Sequence, residues 1–406
     1  MQHVYSRAIC CIAATAAKDG DIGLFFDRDP QCLLPIRVNM RRARMCGRNT
    51  GEALLTYSIS SPVVTSRMAI DIAPLNQRAW VAQERYLSTR TIHFTQELLF
   101  WECLESVTSE QDPEGRLVKT GVPFLYEEHE SAIHILKSNI GDYKSRLVIP
   151  SEGRARVSLR EFHSWIYKHW CRFRFEYSGL SLTKEEDILV ALNGIARSVA
   201  EVTKDALVAG LWRDRLIEDL CWRRYRDNRR YPIDVPPRPS IWRAPTWSWA
   251  SINGTVMDHL GSREGDSASD SIKEMAVVKD LTVDQMPSGQ VINASLTLTC
   301  RMITPYWERF TVISDMYGSL DGRHLEREYR LVILRHCKFR SEGKGSVQGI
   351  LIEPSRHKPG SYERLAYFEL VEEEELNLYH GSDEVSGPQR MLDIYHKTQE
   401  RTIQLI

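Results

Sequence analysis

The nine cysteines form no C-x-x-C pair and follow no regular spacing, and only Cys10 and Cys11 are adjacent. Neither a disulfide framework nor a zinc knuckle is encoded, so the thiols are expected to be reduced, in a cytoplasmic protein. The chain has no G-x-G-x-x-G after a strand, no phosphate-cradling P-loop and no G-x-S-x-G elbow, which removes the standard nucleotide sites and the simplest hydrolase. His129-Glu130 with His134 imitates a metalloprotease helix, but ligands at i and i+5 do not share a helical face, and no metal is expected. No apolar run is long enough to span a bilayer. A formal net charge of −1 gives no global attraction to nucleic acid or to an anionic membrane, and neither is expected as a partner. The local basic run Arg37, Arg41, Arg42, Arg44 and Arg48 reads as a solvated loop. No internal repeat is visible.

What remains is an ordinary globular composition, 42% apolar and 26% charged over 406 residues, with room for two or three cores. The elements predict an α+β protein in three parts. Residues 1–105 read as a partial α/β unit, with a strand near Ala8 to Thr15, a loop through Asp29-Pro30 and an extended segment near Ala53 to Ser60. Arg7 followed by AICCIAATAA imitates a signal peptide, but it also reads as a buried strand. A polar stretch, Ser106 to Thr120, marks a boundary. Residues 121–260 read as mainly helical. Thr183 and Glu186 form a capping box ahead of Ile188, Leu192, Ile195 and Val199, and a second helix is expected over about 204–226. That region ends in TWSWAS, Thr246 to Ser251, where alternation predicts a strand with Trp247 and Trp249 on one face, packed in the core. After a polar loop at Gly261 to Asp270, residues 275–406 read as a β-rich region. Val291 to Cys300, Arg330 to Leu334, Val347 to Ile352 and Ala366 to Leu370 are its expected antiparallel strands, with an acidic solvated run at Glu372 to Glu375.

The most informative stretch is Pro74 to Cys103. Pro74 or Asn76 can open a helix. Trp80, Glu84 and Leu87 then fall on one face, expected to point inward, and two short strands at Thr91 to Phe94 and Leu98 to Trp101 follow as a hairpin. A carboxylate on an apolar face needs a partner, because a bare buried charge costs several kcal/mol, roughly, even after relaxation. Glu84 therefore reads in three ways: an ion pair with Arg78, Arg90 or another arginine, a catalytic carboxylate beside an aromatic wall, or a contact for a partner.

Arg78, Trp80, Gln83, Glu84, Arg85, Leu87, Ser88 and Arg90, with Phe94, Phe100, Trp101, Glu102 and Cys103, resemble the closing motif of the fungal heterokaryon-incompatibility (HET) domain. Val4-Tyr5-Ser6 through Ile12-Ala13-Ala14-Thr15 and Phe25 to Pro30 are similar to the middle of that domain. LNGIA (192–196), AGLW (209–212) and RAPTWSWAS (243–251) resemble the region that commonly follows it. The family's Tyr-Ser-x-x-Trp-Gly-like and Trp-Ile-Asp-like opening strands do not occur, so the first half of the domain is expected to be absent, through a late start or natural shortening. The resemblance implies a TIR-like α/β remnant and a role in fungal non-self recognition and the associated cell death, through protein partners. TIR enzymes that cleave NAD use a similar Trp-x-x-x-Glu helix. The resemblance thus also implies Glu84 and Trp80 as catalytic candidates, with NAD as a substrate and no certain cofactor; an inactive truncated paralogue is the third reading.

Overall fold

The chain divides into two units, Met1–Pro150 and Ser151–Ile406. A computed structural model describes residues 2–28, 36–41, 54–59, 66–113, 131–148, 159–225, 238–258, 271–304, 312–314, 328–338, 345–371 and 387–406. The Asp29-Pro30 loop, His129-Glu130, the Gly261 to Asp270 loop, the acidic run at 372–375 and Arg42, Arg44 and Arg48 of the basic run lie outside the described residues. The architecture is mixed α+β, and no helix among the described residues is long and apolar enough to cross a membrane.

In the first unit α1 (Gln2–Arg7) precedes β1 (Cys11–Ala13), and β2 (Ile36–Arg41) pairs with β3 (Leu54–Ile59) as an antiparallel hairpin. Pro74 then opens a short 3-10 turn, Arg78 turns extended, and α2 (Ala79–Leu87) begins. Asn76 does not cap it; its side-chain amide donates to the Ile70 carbonyl at 2.9 Å. Ser88 ends α2 by folding its amide and its hydroxyl back onto the Glu84 carbonyl, at 3.1 and 2.7 Å. The expected hairpin follows as β4 (Arg90–Phe94) and β5 (Leu99–Cys103), with Thr95 bonded to Leu98 across the turn. β6 (Val107–Ser109) and α3 (Ala132–Val148) complete the unit. The sheet runs β1-β4-β5-β6, with β1 parallel to β4 and the other pairs antiparallel.

Strand alternation splits this sheet into two unlike faces. One carries Thr91, His93, Phe100 and Glu102, all buried. The other carries the cross-strand row Ile12, Ile92 and Trp101, and it is open: Ile12 is 65% exposed and Trp101 37%.

The inward face of α2 is not the expected one. Ala79, Val81, Ala82, Gln83, Arg85 and Tyr86 are buried, whereas Trp80, Glu84 and Leu87 are only half-buried. Two alanines let the helix approach closely, and the buried ion pair of Arg85 fixes its rotation more firmly than a tryptophan's apolar surface does.

The second unit opens with α4 (Leu159–Ser178) and α5 (Asn193–Thr203). The expected capping box does not form: Lys184 precedes a 3-10 turn, Glu185–Ile188, with no side-chain cap. Nor is there a helix over 204–226. Lys204 takes a left-handed conformation with φ 62°, which ends α5, and β7 (Leu207–Val208) and β8 (Leu211–Trp212) form a tight hairpin through Ala209 and Gly210. Both turn residues have positive φ, as a two-residue hairpin demands. The periodic leucines that suggested a helix belong instead to this hairpin and to the short α6 (Leu216–Asp219) and its flank. β9 (Arg223–Arg224) pairs with β10 (Val256–Met257). TWSWAS is likewise a turn rather than a strand, because Ser248 caps a 3-10 turn, Trp249–Ser251, by accepting the Ala250 amide. Its tryptophans are nevertheless fully buried.

The remaining strands are β11 (Ser271–Glu274), β12 (Val277–Gln285), β13 (Val291–Ile303), β14 (Val312–Ser314), β15 (Arg330–Lys338), β16 (Gly345–Pro354), β17 (Tyr362–Val371) and β18 (Glu400–Leu405), with α7 (Gly387–Lys397) before the last. They form one sheet of order β11-β15-β16-β17-β18-β13-β12, with β14 on β17. Because β13 also pairs with β15, the strands β13, β15, β16, β17 and β18 close on themselves, which satisfies strand edges that would otherwise stand open. Leu331, Ile333, Val347, Leu351 and Phe368 fill the core with Met391 and Tyr395 of α7.

Gly349 is where this ring is tightest. A Cβ there would stand 2.1 Å from the Val332 carbonyl oxygen and 2.7 Å from the Phe368 ring. Backbone cannot yield as a flexible side chain would, so Gly349→Ala is expected to cost about 3 kcal/mol, the upper end of ordinary overpacking. Urea unfolding checks this. A midpoint within error of wild type would mean that the strands separate freely at this point.

Candidate functional site

The charges of the first unit gather around Glu102, not Glu84. Glu102 is fully buried on β5, and its Oε2 accepts from Arg85 Nε of α2 at 2.7 Å and from His93 Nε2 of β4 at 3.0 Å. Arg85 Nη1 reaches Asp71 Oδ1 at 2.6 Å. Lys137 of α3 lies 3.8 Å from Glu102 Oε1 and donates to the Arg85 carbonyl at 3.1 Å. On the far side of the imidazole, His93 Nδ1 meets Thr15 Oγ1 at 3.1 Å, just after β1. Five segments of the unit thus converge on one carboxylate, through two carboxylates and two fixed cations whose charges cancel.

Burial alone would raise Glu102, but the charge of Arg85, with His93 and Lys137, holds it well below the usual carboxylate range. Burial pushes His93 down, against the opposing pull of Glu102, so the ring is neutral. With Nε2–H donating to Glu102, the Thr15 hydroxyl donates to Nδ1. Burial also lowers Lys137, while Glu102 opposes that shift.

Glu84 stands apart from this cluster, half-buried one turn after Trp80. Its carboxylate takes a hydrogen bond from the Tyr5 hydroxyl of α1, and burial, followed by that carboxylate, pushes Tyr5 up to about 12. Of the alternatives open for Glu84, the buried arginine pair exists on this helix, but it joins Arg85 to Glu102. Among the described residues no group of His, Cys, Asp and Glu is placed to hold a metal ion.

In the second unit, AGLW and TWSWAS meet directly. Trp249 Nε1 donates to the Gly210 carbonyl at 2.7 Å and the Ser248 hydroxyl to the Ala209 carbonyl at 2.6 Å. Arg243 Nε and Nη2 donate to the Ala250 and Ile252 carbonyls, both at 2.6 Å. Arg364 of β17, almost wholly buried, donates to the Leu220 carbonyl at 2.5 Å and to the Trp222 carbonyl, with its guanidinium 3.6 Å above the Trp222 ring. These side chains are consumed in holding backbone. A second buried charge group joins Arg174 of α4 to Asp258 and Asp219, where burial raises Asp219 to about 6 against the pull of Arg174.

Glu102 was open to discovery in the sequence. In LFWEC, alternation puts Glu102 on the face of Phe100, opposite Leu99 and Trp101, so a charged side chain at an inward strand position required an inward cation. His93, two residues from Thr91 on the paired strand, shares that face. Asp71, Lys137 and Thr15 left no comparable signal, because only tertiary folding brings them in.

Compared with protein-family models, with curated proteins and with solved structures, the chain matches none.

Proposed function

We propose that this chain is a HET-type signalling protein of fungal non-self recognition and the associated programmed cell death, acting through contact with protein partners. The observation that carries this reading is the open apolar sheet face of the first unit. Ile12, Ile92 and Trp101 share one cross-strand row, Phe25 stacks edge-on against Phe94 at 5.7 Å and is 80% exposed, and Ile9 beside β1 is 84% exposed. Exposed apolar groups gathered on one face mark interaction sites more often than solvent surface. Two charged residues of the resemblance motif, Arg85 and Glu102, are meanwhile occupied by each other. In this reading the motif is a scaffold that presents the apolar face.

Expression in a fungal host tests it. Ile9→Asp with Ile12→Asp is expected to abolish induced cell death while leaving the unfolding midpoint of the purified protein unchanged. Death at the wild-type level with both substitutions present would end the signalling reading.

The half-exposed position of Glu84, one turn from Trp80, favours a second reading, a TIR-like NAD-cleaving hydrolase. There the carboxylate would stabilise the positive charge that develops on the ribose as nicotinamide leaves. Under this reading Glu84→Gln abolishes NAD consumption while keeping the fold, since a glutamine oxygen still accepts from Tyr5. NAD consumption by the wild type and by Glu84→Gln is the measurement, and a wild type that consumes none removes the enzyme. In that case the chain is either the signalling protein above or a silent paralogue, which the cell-death assay separates.

A further inference from the structure

We propose that His93, set between Thr15 and Glu102, is an acid-responsive latch. Taking up a proton there unbalances the buried charges of the first unit and releases edge strand β1 together with the segment that carries Asp71.

The argument begins with charge balance. Asp71 and Glu102 face Arg85 and Lys137, and His93 is the neutral fifth member, 1% exposed. A proton on His93 makes three cations against two carboxylates where water cannot screen them. The groups that face His93 come from every neighbouring element: Arg85 from α2, Glu102 from β5, and Asp71 from the 66–77 segment. Lys137 from α3 shares Glu102, and the thiols of Cys11 on β1 and Cys103 on β5 face that lysine.

Thr15 makes the device able to register the proton. Its hydroxyl lies 3.1 Å from His93 Nδ1 and 3.3 Å from the Ala13 carbonyl oxygen. While His93 is neutral, Thr15 donates to Nδ1. Once Nδ1 carries a proton, Thr15 must accept it and turn its own hydrogen toward Ala13, so the ring can be protonated without losing its partners while the surrounding charge goes out of balance. The elements least able to resist are β1, three residues long and paired among the described residues with β4 alone, and the Asp71 segment, tied to the cluster through Arg85.

The sign follows from linkage. His93 is held below its ordinary value in the fold, so the unfolded state binds the extra proton first, and stability is lost as pH falls through the range below about 6.5. Glu102 adds its own loss only below about 4.3, where the unfolded carboxylate begins to protonate. Within the first unit the window from pH 6.5 to 5 therefore separates His93 from Glu102. In the second unit His169, which burial lowers to about 4, loses stability over the same window, and Asp219, raised to about 6, opposes it by favouring the folded state as pH falls below about 6.

Hydrogen–deuterium exchange of the full chain, read by mass spectrometry and corrected for the intrinsic pH dependence of exchange, tests the latch. Peptides covering residues 8–16 and 66–77 are expected to lose protection by up to about tenfold per pH unit below pH 6.5, the slope of one proton, while peptides from 345–371 do not follow. His93→Gln keeps a donor toward Glu102 and should flatten that slope. If His93→Gln fails to fold, Thr15→Val decides: without an acceptor for Nδ1–H the fold resists protonation more strongly, so its loss between pH 7 and 5 should exceed that of wild type, and Thr15→Ser should restore the wild-type slope. A wild type without the slope, a His93→Gln protein that keeps it, or equal losses in Thr15→Val and wild type would each overturn the proposal.

Discussion

Replacing Glu102 with glutamine is expected to lower the stability of the first unit by about 3–5 kcal/mol, the cost of leaving buried charge without its counter-charge. Arg85 would keep Asp71, but Lys137 would face a neutral amide at 3.8 Å, and His93 would lose an anionic acceptor for a neutral one. The loss should be strongly coupled. In Arg85→Met with Glu102→Leu, one cation and one carboxylate leave together, and the double variant should be less destabilised than the sum of its single variants, because such pairs gain little net energy over well-packed apolar groups. Thermal unfolding of the four proteins measures the coupling. Additive losses would mean that Arg85 and Glu102 are not one energetic unit.

Trp247→Ala is expected to cost the second unit about 3–5 kcal/mol, the usual range for truncating a buried aromatic. Trp247 is 0% exposed, and its carbonyl accepts Trp222 Nε1 at 2.9 Å. On either side, Thr246 and Ser248 tie the same turn to Ile406 and Ala209. A cavity at this point removes packing from a turn whose backbone is pinned on three sides and cannot collapse to fill it. Chemical denaturation followed through the second unit provides the check, and an unchanged midpoint would show that the indole contributes no packing.

The two units differ in how much of them the sequence disclosed, and the difference has physical causes. The hairpin β4–β5 and the strands β13, β15, β16 and β17 were legible, because β-branched and aromatic runs between turn residues carry a local signal. The helix α2 was legible in extent but not in rotation: Trp80, Glu84 and Leu87 marked an apolar face by composition, while Arg85, a charged residue, was the one that went inside. A helical reading fits Leu207, Leu211, Leu216 and Leu220 as well as the observed hairpin and short turn do. What decided between them was the positive φ at Ala209 and Gly210, held by Trp249 and Ser248 from a distant segment. β12 and β18 carry a weak sequence signal for another reason. The first, VVKDLTVDQ, is only partly buried along its length, and the second, ERTIQL, buries just Ile403 and Leu405. The candidate site divides in the same way. Glu84 is marked by its motif, whereas Glu102 gains its importance from a cluster drawn from five other segments.

Closure of the second unit's strand ring also sets an order on its synthesis. β18 pairs with β13, Leu405 meets Tyr362, and the Ile406 carbonyl accepts both the amide and the hydroxyl of Thr246 in the tryptophan turn. Residues 400–406 therefore complete contacts whose other halves left the ribosome much earlier. Until they emerge from the exit tunnel, the edge of β13 and the donors of Thr246 stand unpaired on a nascent chain already rich in exposed apolar strand. This interval is when the polypeptide is most prone to pair with the wrong chain and depends most on chaperone cover.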